Sequence, residues 1–437
     1  MSTMFNPVNF ASRRARLIEQ MKRGIAVIPT APEVVRNADA HFPYRFDSHF
    51  HYLTGFGEPE SVLVLIAGDA PQSILFCREK NMEREIWDGY RHGPDAAKTL
   101  FGFDAAFSIA QLDEKLTELM GNQPVLFHPL GHDPVWDARL LGLRSRVQEK
   151  ARSGISAPDE IHDIRIFLNE MRLFKDADEL VTMRRAAEIS STAHIQAMRA
   201  TKPGMREYEI EAGLLYAFRK HGAQAPAYTS IVAGGANACV LHYVGNDAPL
   251  KDGDLLLIDA ACEVDGYAAD ITRTFPVNGK FSSAQKDVYE MVLAAQIAAI
   301  AASRPGKHWN DPHDEALRVI AQGLIDFKLC SGSVDAVLES ESYKRFYMHR
   351  TGHWLGMDVH DVGAYKIDNN WRELKPGMTF TVEPGCYIRP AEDVPQALWN
   401  IGIRIEDNVV ITAQGCKVMT EAAPKTVAAI EELMRQP

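Results

Sequence analysis

Apolar positions in the first third of the chain fall in short runs. "RGIAVIP" (23–29), "SVLVLIAG" (61–68) and "SILFCRE" (73–79) are apolar segments bounded by polar or turn residues, a pattern that suits strands. Residues 11–22 and 107–121 read as helices. Alternating strand and helix signals over residues 1–150 predict a compact α/β domain. The stretch "ARSGISAPDE" (151–160) is small, polar and Pro/Gly-containing, and is the expected linker.

The pattern then turns helical. In "DADELVTMRRAAEISSTAHIQAMRAT", Leu180, Met183, Ala187 and Ala193 recur with a period near 3.6, and Asp176 with Glu179 forms a capping box. A second helix is expected over 206–221, stopping at Gly222. Two more follow the next strands. One is capped by Ser282 with Gln285 at its third position; the other is expected to use Asp311 as cap and Pro312 as first helical residue. "MVLAAQIAAIAAS" suits a buried core helix and is too short to span a membrane. Strand signals return in "MTFTVEPG", "GIRIED" and "NVVIT". Helix–helix–strands thus occurs twice, without a convincing sequence repeat.

Between the helix pairs lies "LLLIDAACEVDGYAADITRTF" (255–275). Asp265-Gly266 is a two-residue hairpin signal, since both turn positions favour positive φ. Such a loop pairs Val264 with Tyr267, and counting back sets Asp259 opposite Thr272. Asp259 and Asp270 then become diagonal neighbours on one face. Two adjacent buried carboxylates need compensation: a shared proton, a Lys or Arg partner, or a metal ion. This segment alone leaves a solvated sheet face equally open.

Composition narrows the class. With 437 residues the chain exceeds a typical single domain, so two are expected. The contents, 46% hydrophobic and 24% charged, are those of an ordinary globular protein. Net charge is −11 without a long basic block, which argues against nucleic-acid and membrane partners. The six cysteines are scattered and form no C-x-x-C, so they read as reduced thiols of a cytoplasmic protein. The first 24 residues show basic positions but no apolar signal core.

Polar candidates concentrate in the last third. "HRTGHWLGMDVHD" holds His349, His353 and His360; "TVEPGCY" sets Glu383 after an apolar run; "GIRIED" spaces Arg404 and Glu406 for one face; "ACVLHYVGND" holds His242. Each alone is more simply a core histidine, a strand terminus or an ion pair. Together the two Asp, one or two of the His and the two Glu suit a carboxylate-rich dinuclear site. Carboxylate and imidazole without thiolate favour Mn²⁺, Co²⁺, Fe²⁺ or Zn²⁺, and paired ions of this kind serve hydrolases. No H-E-x-x-H, G-x-S-x-G or Walker loop is present.

In order and context, Asp259, Asp270, His353, Glu383 and Glu406 resemble the five metal ligands of the pita-bread metallopeptidases, over roughly residues 170–437. "FPYRFDSHFHYLTGFGEPESVLVL", "REIWDGYRHGPDAA", "FYMHRTGHWLGMDVHD" and "NIGIRIEDNVVIT…PKTVAAIEELM" extend the resemblance, to the aminopeptidase P branch, over nearly the whole chain. It departs at Arg350 and Thr351, where residues in that branch are often smaller or apolar.

The resemblance implies an α/β N-terminal domain (1–170) and an α+β pita-bread, creatinase/aminopeptidase-like catalytic domain (171–437). It implies a dinuclear-metal aminopeptidase, with two divalent ions (Mn²⁺ first, Co²⁺ or Zn²⁺ possible), that cleaves the N-terminal Xaa-Pro bond of peptides through a metal-bridging hydroxide. Asp259 would chelate one ion; Asp270 and Glu406 would bridge both; His353 and Glu383 would complete the shells. Glu383 would also accept the proton of the water. His242 and His360 would hydrogen-bond substrate and tetrahedral intermediate, and Arg404 would orient the carboxylates. Tyr228, His349 and Tyr387 would wall the proline pocket, and Trp87 would reach an active site of a neighbouring subunit in a homo-oligomer, dimer or tetramer. The alternatives are an Xaa-Pro dipeptidase, whose carboxylate clamp Arg350 or Arg372 would supply, and a non-catalytic binding protein on the same fold.

Overall fold

The structure is a computed structural model and describes residues 7–436. The chain divides into two compact units, the first ending at Met171 and the second beginning at Arg172.

The first unit is built on a six-stranded mixed sheet. In spatial order its strands are Ala105–Ser108, Gln72–Cys77, Val62–Ala67, Gly24–Pro29, Val125–His128 and Glu160–Asp163. Gly24–Pro29 and Val62–Ala67 are nearly continuous apolar runs because both lie in the middle of the sheet and are buried almost throughout. Ile25, Val27, Val62, Val64, Ile74, Phe76 and Leu126 form one core with Leu112, Leu116, Leu140 and Leu143 from the helices.

Two expectations fail here. The helix expected over 107–121 is a strand end followed by a 3₁₀ turn and the helix Leu112–Leu119. The expected linker 151–160 is part of this unit. Its last residue opens the edge strand Glu160–Asp163, parallel to Val125–His128, and Asn122 fastens its middle through hydrogen bonds with Ser156. Small polar residues here serve a tight sheet edge rather than a tether.

The second unit carries the two expected helix pairs, Ala177–Ala200 with Glu207–Lys220 and Ser283–Ala302 with Asp311–Asp326. Asp176/Glu179 and Ser282/Gln285 both close reciprocal capping boxes. At Asp311–Asp326 the cap falls one residue earlier than expected, on Asn310; Asp311 is the first helical residue, and its carboxylate accepts from the His308 N–H instead.

The strands between and after the pairs form small antiparallel sheets. Leu255–Asp259 lies between Ile231–Gly234 and Thr272–Pro276, with Asp259 opposite both Ile231 and Thr272. The Asp265-Gly266 loop adopts the expected positive φ (47° and 81°) and pairs Val264 with Tyr267. Farther on, Thr379–Val382 pairs with Asp407–Thr412, and Gly385–Ile388 with Ile401–Arg404.

Candidate metal centre

Three local devices bring the charged residues together. The first is the hairpin. Asp259 ends its strand, and Asp270 lies two residues before Thr272, the partner of Asp259. Asn408 holds the Asp270 backbone on both sides, accepting from its N–H and donating to its carbonyl.

The second device is the pair of C-terminal sheets. Val382 opposes Asp407, and Gly385 opposes Arg404. Glu383 and Glu406 therefore fall in the gap between the two sheets, outside the strand pairing of either. Arg404 and Glu406 both reach the same cavity, although the strand expected to carry them is interrupted at 405–406.

The third device is the segment 351–355, which runs beside Thr379–Val382. Leu355 N–H donates to Thr379 O, Thr381 N–H to His353 O and Glu383 N–H to Thr351 O, at 3.1, 3.0 and 2.8 Å. This ladder fixes His353 next to Glu383. The fit leaves no room at Gly352, where a Cβ would lie 2.0 Å from Thr381 O.

All five expected ligands line one cavity of about 1060 Å³. Asp270, His353 and Glu406 each offer a ligand atom, and these atoms lie within 4.8 Å of one another. His353 Nε2 is 3.4 Å from Asp270 Oδ2 and 3.6 Å from Glu383 Oε1. Asp259 is held at both oxygens, by Tyr228 Oη and Arg404 Nη2, each at 2.6 Å. Tyr228 Oη is also 2.6 Å from Asp270 Oδ1. A phenol has one proton, so only one of these two carboxylates receives it.

The electrostatics show how crowded the cluster is. Burial, with Asp270, Glu383 and Asp259 alongside, drives the Glu406 carboxyl well above the usual carboxylate range. Burial also lifts Glu383, to about 7, against the opposing charges of His353 and Arg404. Burial raises Asp259 too, with Arg404 opposing. For His353 burial favours the neutral ring, but the bond to Asp270 and the charge of Glu383 outweigh it and raise the imidazole to about 9. Four carboxylates thus face one guanidinium and one imidazole.

These residues fit a divalent cation. His353 Nδ1 is engaged by Trp354 O at 2.9 Å, which leaves the Nε2 lone pair for a metal once the proton is displaced. Thr272 Oγ1 donates to Glu406 Oε2 at 2.6 Å, and Thr381 Oγ1 to Glu383 Oε1 at 3.2 Å, the outer contacts that orient ligating carboxylates. The donors are oxygen and imidazole nitrogen only, which suits hard or borderline ions.

The other expected site residues divide. His242, His360, Tyr228 and His349 line the cavity. The His360 ring lies edge-on to His353, with centroids 4.2 Å apart, and burial and His353 lower its pKa. Burial, followed by Arg404, lowers His349 to about 4. Tyr387 is not in the wall. It is buried behind it and joins His349 Nε2 at 2.8 Å to Arg404 Nη1 at 3.0 Å. Trp87 is 83% exposed on the short helix Met82–Asp88 of the first unit. Arg350 lines the cavity, whereas Arg372 is buried outside its lining.

Sequence reasoning missed Thr272, Thr381, Trp309, Tyr365, Lys366 and Trp371. Thr272 had a signal, since the register already set it opposite Asp259. The aromatic wall had none, because Trp309 comes from a different part of the chain than the hairpin segment of Tyr365, Lys366 and Trp371.

The description "Metallopeptidase family M24" matches residues 181–413, and "Aminopeptidase P, N-terminal domain" matches residues 10–127. The Xaa-Pro aminopeptidase of Escherichia coli (strain K12) is 44% identical over 428 residues, 97% of each chain. The solved aminopeptidase PepP of Pseudomonas aeruginosa is 51% identical, with TM-score 0.97 over 99% of both chains. Aminopeptidase P of Escherichia coli superposes with TM-score 0.96 at 42% identity, over 99% of both. The chain belongs to metallopeptidase family M24, with the pita-bread fold in its second unit and the aminopeptidase P N-terminal domain in its first. The class is a metal-dependent aminopeptidase, a hydrolase.

Proposed function

We propose that this chain removes the N-terminal residue that precedes a proline, using two divalent ions held by Asp259, Asp270, His353, Glu383 and Glu406. The observation that carries the reading is the convergence of four carboxylates and one imidazole on one cavity, with Arg404 the arginine that pairs with the cluster. Two divalent cations would neutralise that excess. Mn²⁺ is the first choice, with Co²⁺ and Zn²⁺ as functional substitutes. When bound, such ions polarise a scissile carbonyl and make water acidic.

The protein's own groups supply the rest. Glu383, steadied at one oxygen by Thr381, takes the proton of the attacking water and returns it to the departing proline nitrogen. His242 and His360, both facing the cavity, hydrogen-bond the substrate carbonyl as it gains negative charge. Arg404 acts through Asp259 and Thr272 and is a positioning residue. Tyr228 and His349 form the wall against the proline ring, with Tyr387 bracing His349 from behind. A dedicated pocket is needed because the Xaa-Pro amide is tertiary and offers no N–H.

Peptide length separates this reading from an Xaa-Pro dipeptidase. A dipeptidase would need a buried cation for the free carboxylate. Arg372 is buried but outside the cavity lining, and Arg350 lines the cavity but is exposed. Escherichia coli aminopeptidase P is solved with the inhibitor Pro-Leu, which continues beyond proline. Xaa-Pro and Xaa-Pro-Yaa-Zaa peptides assayed side by side with Mn²⁺, Co²⁺ and Zn²⁺ test the reading. The longer peptides are expected to be cleaved at least as efficiently. Hydrolysis of dipeptides alone would transfer the chain to the dipeptidases.

Trp87 belongs to the same proposal. It sits with Met82, Ile86 and Tyr90 in an exposed apolar group on the first unit, which suits burial against another subunit of a dimer or tetramer. In that assembly Trp87 would reach a neighbour's active site. All six cysteines are free, which supports a reducing compartment, the cytoplasm.

A further inference from the structure

Two cations face the cavity with no role in the chemistry above. Arg350 directly follows the wall residue His349, and Lys366 lies in the short strand Lys366–Ile367. Both line the cavity and are exposed. Both contact one ring, that of Trp371: the Arg350 Cζ is 5.1 Å and the Lys366 Nζ 4.3 Å from its centroid. Sharing a ring puts the charges within about 10 Å of each other, close to the screening length of ~8 Å at physiological salt.

Neither charge is neutralised. Among the described residues, the Arg350 guanidinium donates to the Asn310 side-chain oxygen, a neutral amide, and to no other partner. Among the described residues, neither Arg350 nor Lys366 pairs with a carboxylate. The ring's negative face attracts each cation but cancels no charge. Two like charges gathered on one aromatic plate at a cavity mouth are an anion site of a recognisable kind. The flat wall suits a peptide backbone, and the cations suit a carboxylate beside it.

We propose that Arg350, Trp371 and Lys366 form a substrate subsite that selects a carboxylate on the residue following the proline. This deepens the Xaa-Pro reading and rests on it. The metal cluster takes the N-terminal residue and the pocket of Tyr228 and His349 takes the proline. The next residue is then the first free to reach the exposed part of the cavity. Its carboxylate has two sources, an acidic side chain within a longer peptide or the chain terminus of a tripeptide. Because both cations are exposed, the subsite tunes preference and does not act as an absolute clamp.

The test compares kcat/KM for Ala-Pro-Glu-Ala-amide with Ala-Pro-Gln-Ala-amide on the metal-loaded enzyme, from low to high salt. A free and an amidated Ala-Pro-Gly form a second pair. The expected Glu/Gln ratio is about 1.4- to 5-fold at low salt, the range for an exposed charge pair, and it should shrink as salt screens it. In Arg350→Gln with Lys366→Gln the ratio should approach one. A preference confined to the free tripeptide would assign the chain terminus as the source; one confined to the Glu peptide would assign the side chain. A Glu/Gln ratio and a free/amidated ratio both at or below one in the unmodified enzyme would overturn the subsite. So would a preference that salt and the double substitution leave unchanged. Cleavage of none of the four peptides would instead overturn the Xaa-Pro reading, and the subsite with it.

Discussion

Asp270 and Glu406 are the two most constrained carboxylates of the cluster. Both are buried, at 5% and 2% exposure, and both contribute to the triad of close ligand atoms with His353. Replacing either by Ala should abolish activity and deplete bound metal; metal analysis of the purified variant checks this, and retention of two ions per chain in Asp270→Ala would remove that residue from the ligand set. His242 and His360 should behave differently. They face the cavity but lie outside that triad. Their Ala variants should keep metal while kcat/KM falls by about 10²–10⁴. Loss of metal in either variant would move that histidine among the ligands. At this scale the sequence was most legible where local geometry decides. The two-residue loop set the register of Asp259 and Thr272 correctly. Contacts between residues 134 apart, such as Thr272 with Glu406, leave no local trace.

At the scale of elements, the capping boxes at Asp176 and Ser282 and the apolar periodicity named the helix pairs because both signals are local. The edge strand Glu160–Asp163 was missed for the opposite reason. It is polar and incompletely buried, and only pairing with Val125–His128 makes it a strand. The segment 351–355 is similar, an extended piece defined by its neighbour Thr379–Val382. That neighbour also makes it vulnerable. At Gly352 an added methyl would meet backbone, at 2.0 Å from Thr381 O, so relief requires the ladder to open. Gly352→Ala should therefore displace His353, weaken metal binding by about tenfold or more, and lower Tm. A metal titration with a thermal melt checks both. Unchanged affinity and Tm would show that the ladder is looser than described.

At the scale of the whole molecule, the network joining the start of the second unit to its catalytic loops should govern acid stability. Asp361, next to His360, is buried with Lys175 Nζ at 2.9 Å and Arg172 Nη2 at 2.6 Å. Burial alone would raise its pKa, but Lys175 and Arg172 together hold it below the usual carboxylate range. A carboxyl whose pKa is lower folded than unfolded contributes fully above the unfolded value, near 3.9. That contribution fades as pH falls through the folded value. Asp361→Asn should cost about 3–5 kcal/mol at neutral pH, because it leaves the buried Lys175 without its carboxylate, while Arg172 keeps Asp358. Denaturant melts should show the gap between variant and parent narrowing below about pH 4. A constant gap across that window would mean that the ion pairs do not carry the stability. The division into two units and the alternating elements of the first were readable from length and pattern. The wall of Trp309, Tyr365 and Trp371 was not, because Trp309 meets Tyr365, distant in the chain, only in the folded unit.

The central claim is that two divalent ions in this cluster enable cleavage in front of proline. The most direct test strips the protein by stringent chelation, then adds Mn²⁺ stepwise while the N-terminal residue released from an Xaa-Pro-Yaa-Zaa peptide is measured. The account predicts negligible activity in the stripped protein, and full activity only as the second equivalent per chain is bound. Undiminished Xaa-Pro cleavage by protein shown to be free of metal would contradict it.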